Sequence, residues 1–260
     1  MPFPEVDRIR YKKKPLTDVI CQFRFPPILK IDSVTPAEFQ EVIRERFPLF
    51  IEKQEIIQHN LGLVPTDALQ QFLGKSSIIK NYEFYTPDEA SKVNLTRTFI
   101  ALSAQKYTQW EEFLDNFIYA LKPFLGIYKS PFFTRIGLRY VDVFNRSNLD
   151  LKGVDWSELL DTNYLGLLAS NIKDRIQNFE NSYEITLSDD TSIARVIISQ
   201  IIEVNTQEKC IKLDADFSTT KRIHPEEAIE KLNYLHLRAT RLIRQFIKPK
   251  LHEAMGPENI

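Results

Sequence analysis

The chain has 260 residues, 43% of them hydrophobic and 27% charged, which is the balance of an ordinary globular protein. Its 34 Lys+Arg against 35 Asp+Glu leave a net charge of −1, so no overall field draws it onto nucleic acid or an anionic membrane. The length suits one compact unit over 1–260, with possible lobes at 1–150 and 151–260, and 18 Phe and 10 Tyr supply material for a sizeable core.

Residues 1–17 are polar, carry Pro2, Pro4 and Pro15, and hold the run Lys12-Lys13-Lys14. That reads as an extended, solvated arm. It lacks the apolar segment of a signal peptide. No stretch of the chain approaches the roughly 20 apolar residues of a membrane span, so a cytoplasmic location with no membrane partner is expected. Asp18 to Phe25 alternates Val19, Cys21, Phe23 and Phe25 against Gln22 and Arg24, the period of a half-buried strand. Pro26 and Pro27 end it, since proline donates nothing to a ladder. Thr35-Pro36-Ala37-Glu38 reads as a capping box that opens a helix through Phe39, Val42, Ile43 and Phe47.

Asn81 to Thr86 and Lys92 to Ser103 read as strands joined by the turn Pro87-Asp88-Glu89. Thr108 and Glu111 predict a second capping box, and Trp110, Phe113, Leu114, Phe117 and Leu121 the buried stripe of its helix, ended or kinked at Pro123. Phe132 to Phe144 reads as a long strand and 154–180 as helical pieces. Three more strands follow at Tyr183 to Ser188, Ile193 to Val204 and Lys209 to Phe217. His224-Pro225-Glu226-Glu227 then opens a helix of roughly 35 Å, with apolar positions at Ile229, Leu232, Leu235, Ala239, Leu242, Ile243 and Phe246, stopped by Pro249. At an offset of about 101, by the numbering, Tyr82-Glu83, Asp88 and Ser91 align with Tyr183-Glu184, Asp189 and Ser192. The expected fold is therefore α+β: antiparallel sheets with long amphipathic helices packed on one face, the offset suggesting two pseudo-repeated halves.

The seven glycines are isolated, which excludes a phosphate-cradling loop and a dinucleotide-binding turn. His59, His224, His236 and His252 show no i, i+4 pair, and His252-Glu253 is half of a zinc-protease motif without its second histidine. His236 reads as a packed histidine beside an apolar stripe. No serine sits in a nucleophile elbow. Cys21 and Cys210 lie in strands, away from the helix starts that favour a thiolate, and read as buried thiols, with a disulfide between them left open.

Two sets remain. Asp214 and Asp216 share a strand face, and with Asp142 they form a candidate Mg²⁺ set for phosphoryl chemistry, the alternative being an ordinary outward sheet face. Arg24, Arg97, Arg135, Arg139 and Arg195 all fall in predicted strands, with Arg135 and Arg139 on one face. Arginine is the residue for a two-pronged grip on phosphate or carboxylate, so these five are the candidate ligand-binding residues of an anion groove. The alternative is that they pair with strand carboxylates.

Lys14-Pro15-Leu16-Thr17-Asp18-Val19-Ile20-Cys21-Gln22-Phe23-Arg24-Phe25-Pro26, Arg135-Ile136-Gly137-Leu138-Arg139-Tyr140-Val141 and Leu251-His252-Glu253-Ala254-Met255 together resemble segments of a sporadically distributed, uncharacterised prokaryotic family of about this length. The resemblance runs along almost the whole chain. It implies a prokaryotic, cytoplasmic protein and, by the association of patchy distribution with mobile genes, an accessory defence or toxin–antitoxin component. The expected function is a binding or interaction protein rather than an enzyme, one that holds a small anionic ligand or a protein partner on the arginines. A metal-dependent phosphohydrolase or nuclease is the alternative. Nucleic-acid binding through Lys12–Lys14 and the strand arginines is a third reading. No cofactor is expected, and oligomerisation is left open.

Overall fold

A computed structural model describes residues 3–56 and 78–259; His59, Gly62 and Gly74 lie outside the described residues. In chain order the elements are β1 (Ile9–Tyr11), β2 (Leu16–Arg24), α1 (Leu29–Ser33), α2 (Ala37–Ile43), β3 (Leu49–Ile56), β4 (Ile78–Tyr85), β5 (Ser91–Leu95) and β6 (Phe99–Ala104). They continue as α3 (Trp110–Tyr128), β7 (Arg135–Phe144), α4 (Trp156–Leu159), α5 (Thr162–Leu165), β8 (Glu180–Thr186), β9 (Ser192–Ile202) and β10 (Lys209–Thr219). Last come α6 (Ala228–Phe246), α7 (Pro249–Ala254) and β11 (Pro257–Asn259). The protein is α+β with antiparallel sheets. Among the described residues, nine strands form one sheet in the order β3-β4-β5-β6-β2-β7-β10-β9-β8, and β1 pairs with β11 in a second, two-stranded one.

Register fixes which side chains share a side. Val19, Cys21 and Phe23 of β2 stand opposite Tyr140, Leu138 and Ile136 of β7, which in turn stand opposite Ala215 and Phe217 of β10. Nearly all of these are buried. Phe117 of α3 meets Phe23 with ring centroids 4.7 Å apart, and Phe246 of α6 meets Phe144 at 5.6 Å. Ile20, Gln22, Arg135, Gly137, Arg139, Asp214 and Asp216 occupy the other side by the same registers. Among the described residues no helix is long and apolar enough to cross a membrane.

Several elements differ from the sequence reading. The strand Lys92 to Ser103 is broken in two, because the Thr96 hydroxyl accepts from the backbone N–H of Thr98 and of Phe99 and closes a tight turn. Arg97 therefore sits in that turn and not in a strand. Neither expected capping box forms: α2 follows Pro36 without a side-chain cap, and at α3 Thr108 bonds Glu112 instead while Glu111 pairs with Arg8. Helix α3 runs through Pro123 to Tyr128. Helix α6 begins at Ala228 rather than at Pro225, and its 19 residues span about 28 Å. Pro249 opens α7. Strand β3 has no counterpart in the sequence reading. Cys21 and Cys210 are both free and buried.

Candidate functional site

The arginines are placed first by their partners. Arg139 grips Asp214 with two parallel bonds, Nε to Oδ1 at 2.7 Å and a terminal nitrogen to Oδ2 at 2.6 Å. Arg135 donates one terminal nitrogen to both oxygens of Asp216, at 2.8 and 2.6 Å. Gly137 stands between the two arginines, and a Cβ there would lie 2.1 Å from a guanidinium nitrogen of Arg135. The missing side chain is what lets Arg135 fold down along the sheet to reach Asp216. Arg24 donates to Gln22 at 2.7 Å, and Arg97 to Asp32 at 3.3 Å. Arg195 stands across from Asp216 on one side and Glu184 on the other.

Arg24, Arg135, Arg139 and Arg195 thus share the side predicted for two of them, and Arg97 does not join them. The fork of Arg139 and one terminal nitrogen of Arg135 already hold carboxylates. The alternative metal set does not converge: Asp214 and Asp216 are held by arginines, and Asp142 points to the opposite side of the sheet. Among the described residues no group of three or more His, Cys, Asp or Glu could hold a metal ion. Arg139 is about half exposed, so its pair with Asp214 is worth only part of a buried one. Arg139→Ala is expected to cost about 1–2 kcal/mol in urea unfolding, and Arg139→Lys, which keeps the charge and loses the fork, about half of that. Equal stability of all three proteins would show that the ladder contributes nothing.

On the helix side lies a cavity of about 160 Å³. Its floor is Tyr140 and Asp142 of β7 with Leu213, Ala215 and Phe217 of β10, and its walls are Trp110 of α3 and His236 of α6. The arm before β2 crosses the mouth. Arg10 of β1 pairs with Glu258 of β11 at 3.0 Å, and Arg8 with Glu111 of α3 at 2.6 Å. Lys13 pairs with Asp150 at 2.9 Å. Lys14 donates to the carbonyls of Tyr107 and Thr108. The Tyr11 hydroxyl accepts from Arg244 at 2.6 Å and lies 2.8 Å from Nδ1 of His252. The lysine run is exposed, as expected, and it also acts as a clasp, tying the arm to Glu258, Asp150 and two carbonyls.

Inside the cavity the polar groups are few. The His236 ring lies flat on the Trp110 indole, centroids 4.0 Å apart, and its Nδ1 is 2.8 Å from the Tyr140 hydroxyl. Burial, helped by the nearby Arg8, pushes His236 down to about 4, so the ring is neutral at pH 7. Burial likewise holds the Tyr140 phenol well above its ordinary value. One proton is shared between the phenol and Nδ1, and the imidazole tautomer sets which of the two donates. Tyr107 stands edge-on to Tyr140 at 6.4 Å. Asp142 is 7% exposed and has neither a hydrogen bond nor an ion pair among the described residues, and burial alone lifts its carboxyl to about 7. A lone buried carboxyl is costly unless something arrives to pair with it.

The sequence reading had Asp142 in the wrong company and treated His236 as packing. A signal was available: Asp142 continues the inward alternation Ile136, Leu138, Tyr140 and precedes Phe144, and it is three residues from Arg139, hence on the other face. No protein-family model and no curated protein matches this chain.

Proposed function

We propose that the protein binds a small ligand in the cavity beneath the N-terminal arm, and that it does so without transforming it. The observation that carries this reading is Asp142, a buried carboxyl with no partner that lines a partly open, mostly apolar cavity. Binding sites of this kind are concave and mostly apolar, with a few polar groups that orient the ligand. The anion groove is the weaker reading, since the Arg139 fork and one terminal nitrogen of Arg135 are taken from within the sheet.

The architecture supports the same reading. We infer that the chain is one unit of two like halves, each a strand, short helices, further strands and a long helix, joined along β2 and β7, with α3 and α6 on one face of the sheet. The turn after β4 and the turn after β8 support it: Asp88 and Asp189 each accept bonds within their turns, and the next residues, Glu89 and Asp190, both adopt positive φ, 56° and 51°. On this reading the cavity lies where the first turn of one half's helix meets the middle of the other's, a junction that has no counterpart within either half.

The test is a protein-observed NMR screen of ring-sized fragments, with the Trp110 indole resonance as reporter. Fragments are expected to shift that resonance, and Ala239→Leu, which extends a side chain of α6 into the cavity, is expected to abolish the shifts while leaving the unfolding temperature within a few degrees. Fragments that bind the filled variant equally well, or none that reach Trp110, would refute the assignment.

A further inference from the structure

We propose that the ligand is a small organic ammonium, seated with its cationic nitrogen between the Asp142 carboxylate and the Tyr140 ring, its apolar body no larger than one ring. This rests on the reading of the cavity as a ligand site and names the class that fits it.

Charge is the first argument. Among the described residues that line the cavity, Asp142 is the only carboxylate. The arginines of the rim are spoken for, Arg8 by Glu111 and Arg10 by Glu258. Lys14 is held by two carbonyls at the rim, with its Nζ 5.8 Å over the Tyr107 ring. His236 is neutral and repels nothing. A cation entering the cavity therefore meets one uncompensated negative charge in a space of low polarity, where the attraction is far stronger than in water. An anion would be driven from the same spot, and a neutral donor would gain only a hydrogen bond.

The walls are the second argument. Tyr107, Trp110 and Tyr140 form one connected aromatic group on the cavity, linked through Phe113 and His236; Lys14 already lies over Tyr107 and His236 covers the Trp110 indole, which leaves Tyr140 as the ring for a ligand. Aromatic faces carry negative charge density and attract an ammonium, most strongly when water is excluded. Tyr140 and Asp142 are two apart on one strand, so the ring and the carboxylate approach the nitrogen from the same floor. Size is the third argument. A cavity of about 150 Å³ holds a benzene ring, and this one is about 160 Å³.

A free amine and a lysine side chain share this chemistry, and the closing experiment separates them. Benzylamine, benzyl alcohol and benzoate present one body with three heads; Nα-acetyl-lysine methylamide presents the same head on a peptide unit. Each is titrated at pH 7.5 with Trp110 fluorescence and calorimetry as readouts. Benzylamine is expected to bind at least tenfold more tightly than benzyl alcohol, with benzoate silent. Asp142→Asn is expected to reduce benzylamine to the level of the alcohol while the alcohol binds as before, which also shows that the variant is folded. Below pH 7 each unit is expected to weaken the amine up to tenfold, with a proton released from Asp142 on binding, seen as a dependence of the heat on the buffer. Binding of the lysine derivative at least as tight as that of benzylamine would assign the source to a peptide and keep the ammonium. Alcohol or benzoate binding as tightly as the amine would overturn the ammonium and leave the cavity site standing. No binding by any probe would overturn both.

Discussion

Asp142→Asn should stabilise the ligand-free protein at pH 8 by about 4 kcal/mol. The folded carboxyl titrates at about 7 against an ordinary 3.8, a gap of about three pH units at about 1.4 kcal/mol each. The folded value lies above the unfolded one. The group's contribution is therefore most favourable below about pH 4 and is lost as the pH rises through about 7. The variant's advantage should shrink to less than half by pH 5. His236 runs the other way. Its folded value of about 4 lies below the ordinary 6.5, so stability falls as the pH drops from 6.5 toward 4, by about 3 kcal/mol in all. In the wild type the two trends oppose one another over the same window. Removing Asp142 should unmask the histidine and make the variant clearly acid-sensitive. Urea midpoints at pH 8, 6.5 and 5 read this directly. If variant and wild type unfold together at every pH, Asp142 is hydrated in solution and the cavity has lost its central group.

The second large effect is expected from a pair of leucines on α6. Leu235 is fully buried in the core, and Leu237, two residues on, is 45% exposed. Leu235→Ala should cost about 2–5 kcal/mol, since it removes buried methyl groups and leaves a void that the sheet closes only in part. Leu237→Ala should stay within about 0.5 kcal/mol. Both changes raise helix propensity slightly and equally, so the difference between them reports packing alone. Equal losses at the two positions would mean that Leu237 is covered in solution, by a second copy or by another molecule.

Much of the fold was written in short-range pattern. The alternation through Val19, Cys21 and Phe23 gave a strand with its inward face named correctly, and the stripe Trp110, Phe113, Phe117 and Leu121 gave α3. Pattern failed where a local contact overruled it. Nothing periodic marks the Thr96 turn, and β3 opens with Leu49, Phe50 and Ile51 side by side, so its period of two is blurred. Pairing across strands was the harder limit. That Asp214 and Asp216 share a face follows from their spacing, whereas their partnership with Arg139 and Arg135 depends on the β7–β10 register. The cavity was hidden for the same reason. It exists because the arm folds back over β7 and because Trp110 meets His236, and neither contact leaves a trace in any window of the sequence.

The clasp across the cavity also has a temporal meaning. The last strand of the large sheet to be made ends at Thr219, whereas the Arg10–Glu258 pair that ties down the arm joins positions 248 apart. During synthesis, every strand of that sheet can leave the ribosome before its closing partner exists. Joining such distant segments is entropically late as well as late in time. The pair that ties the arm down is therefore among the longest-range contacts of the chain, and it can form only after β11 has been made.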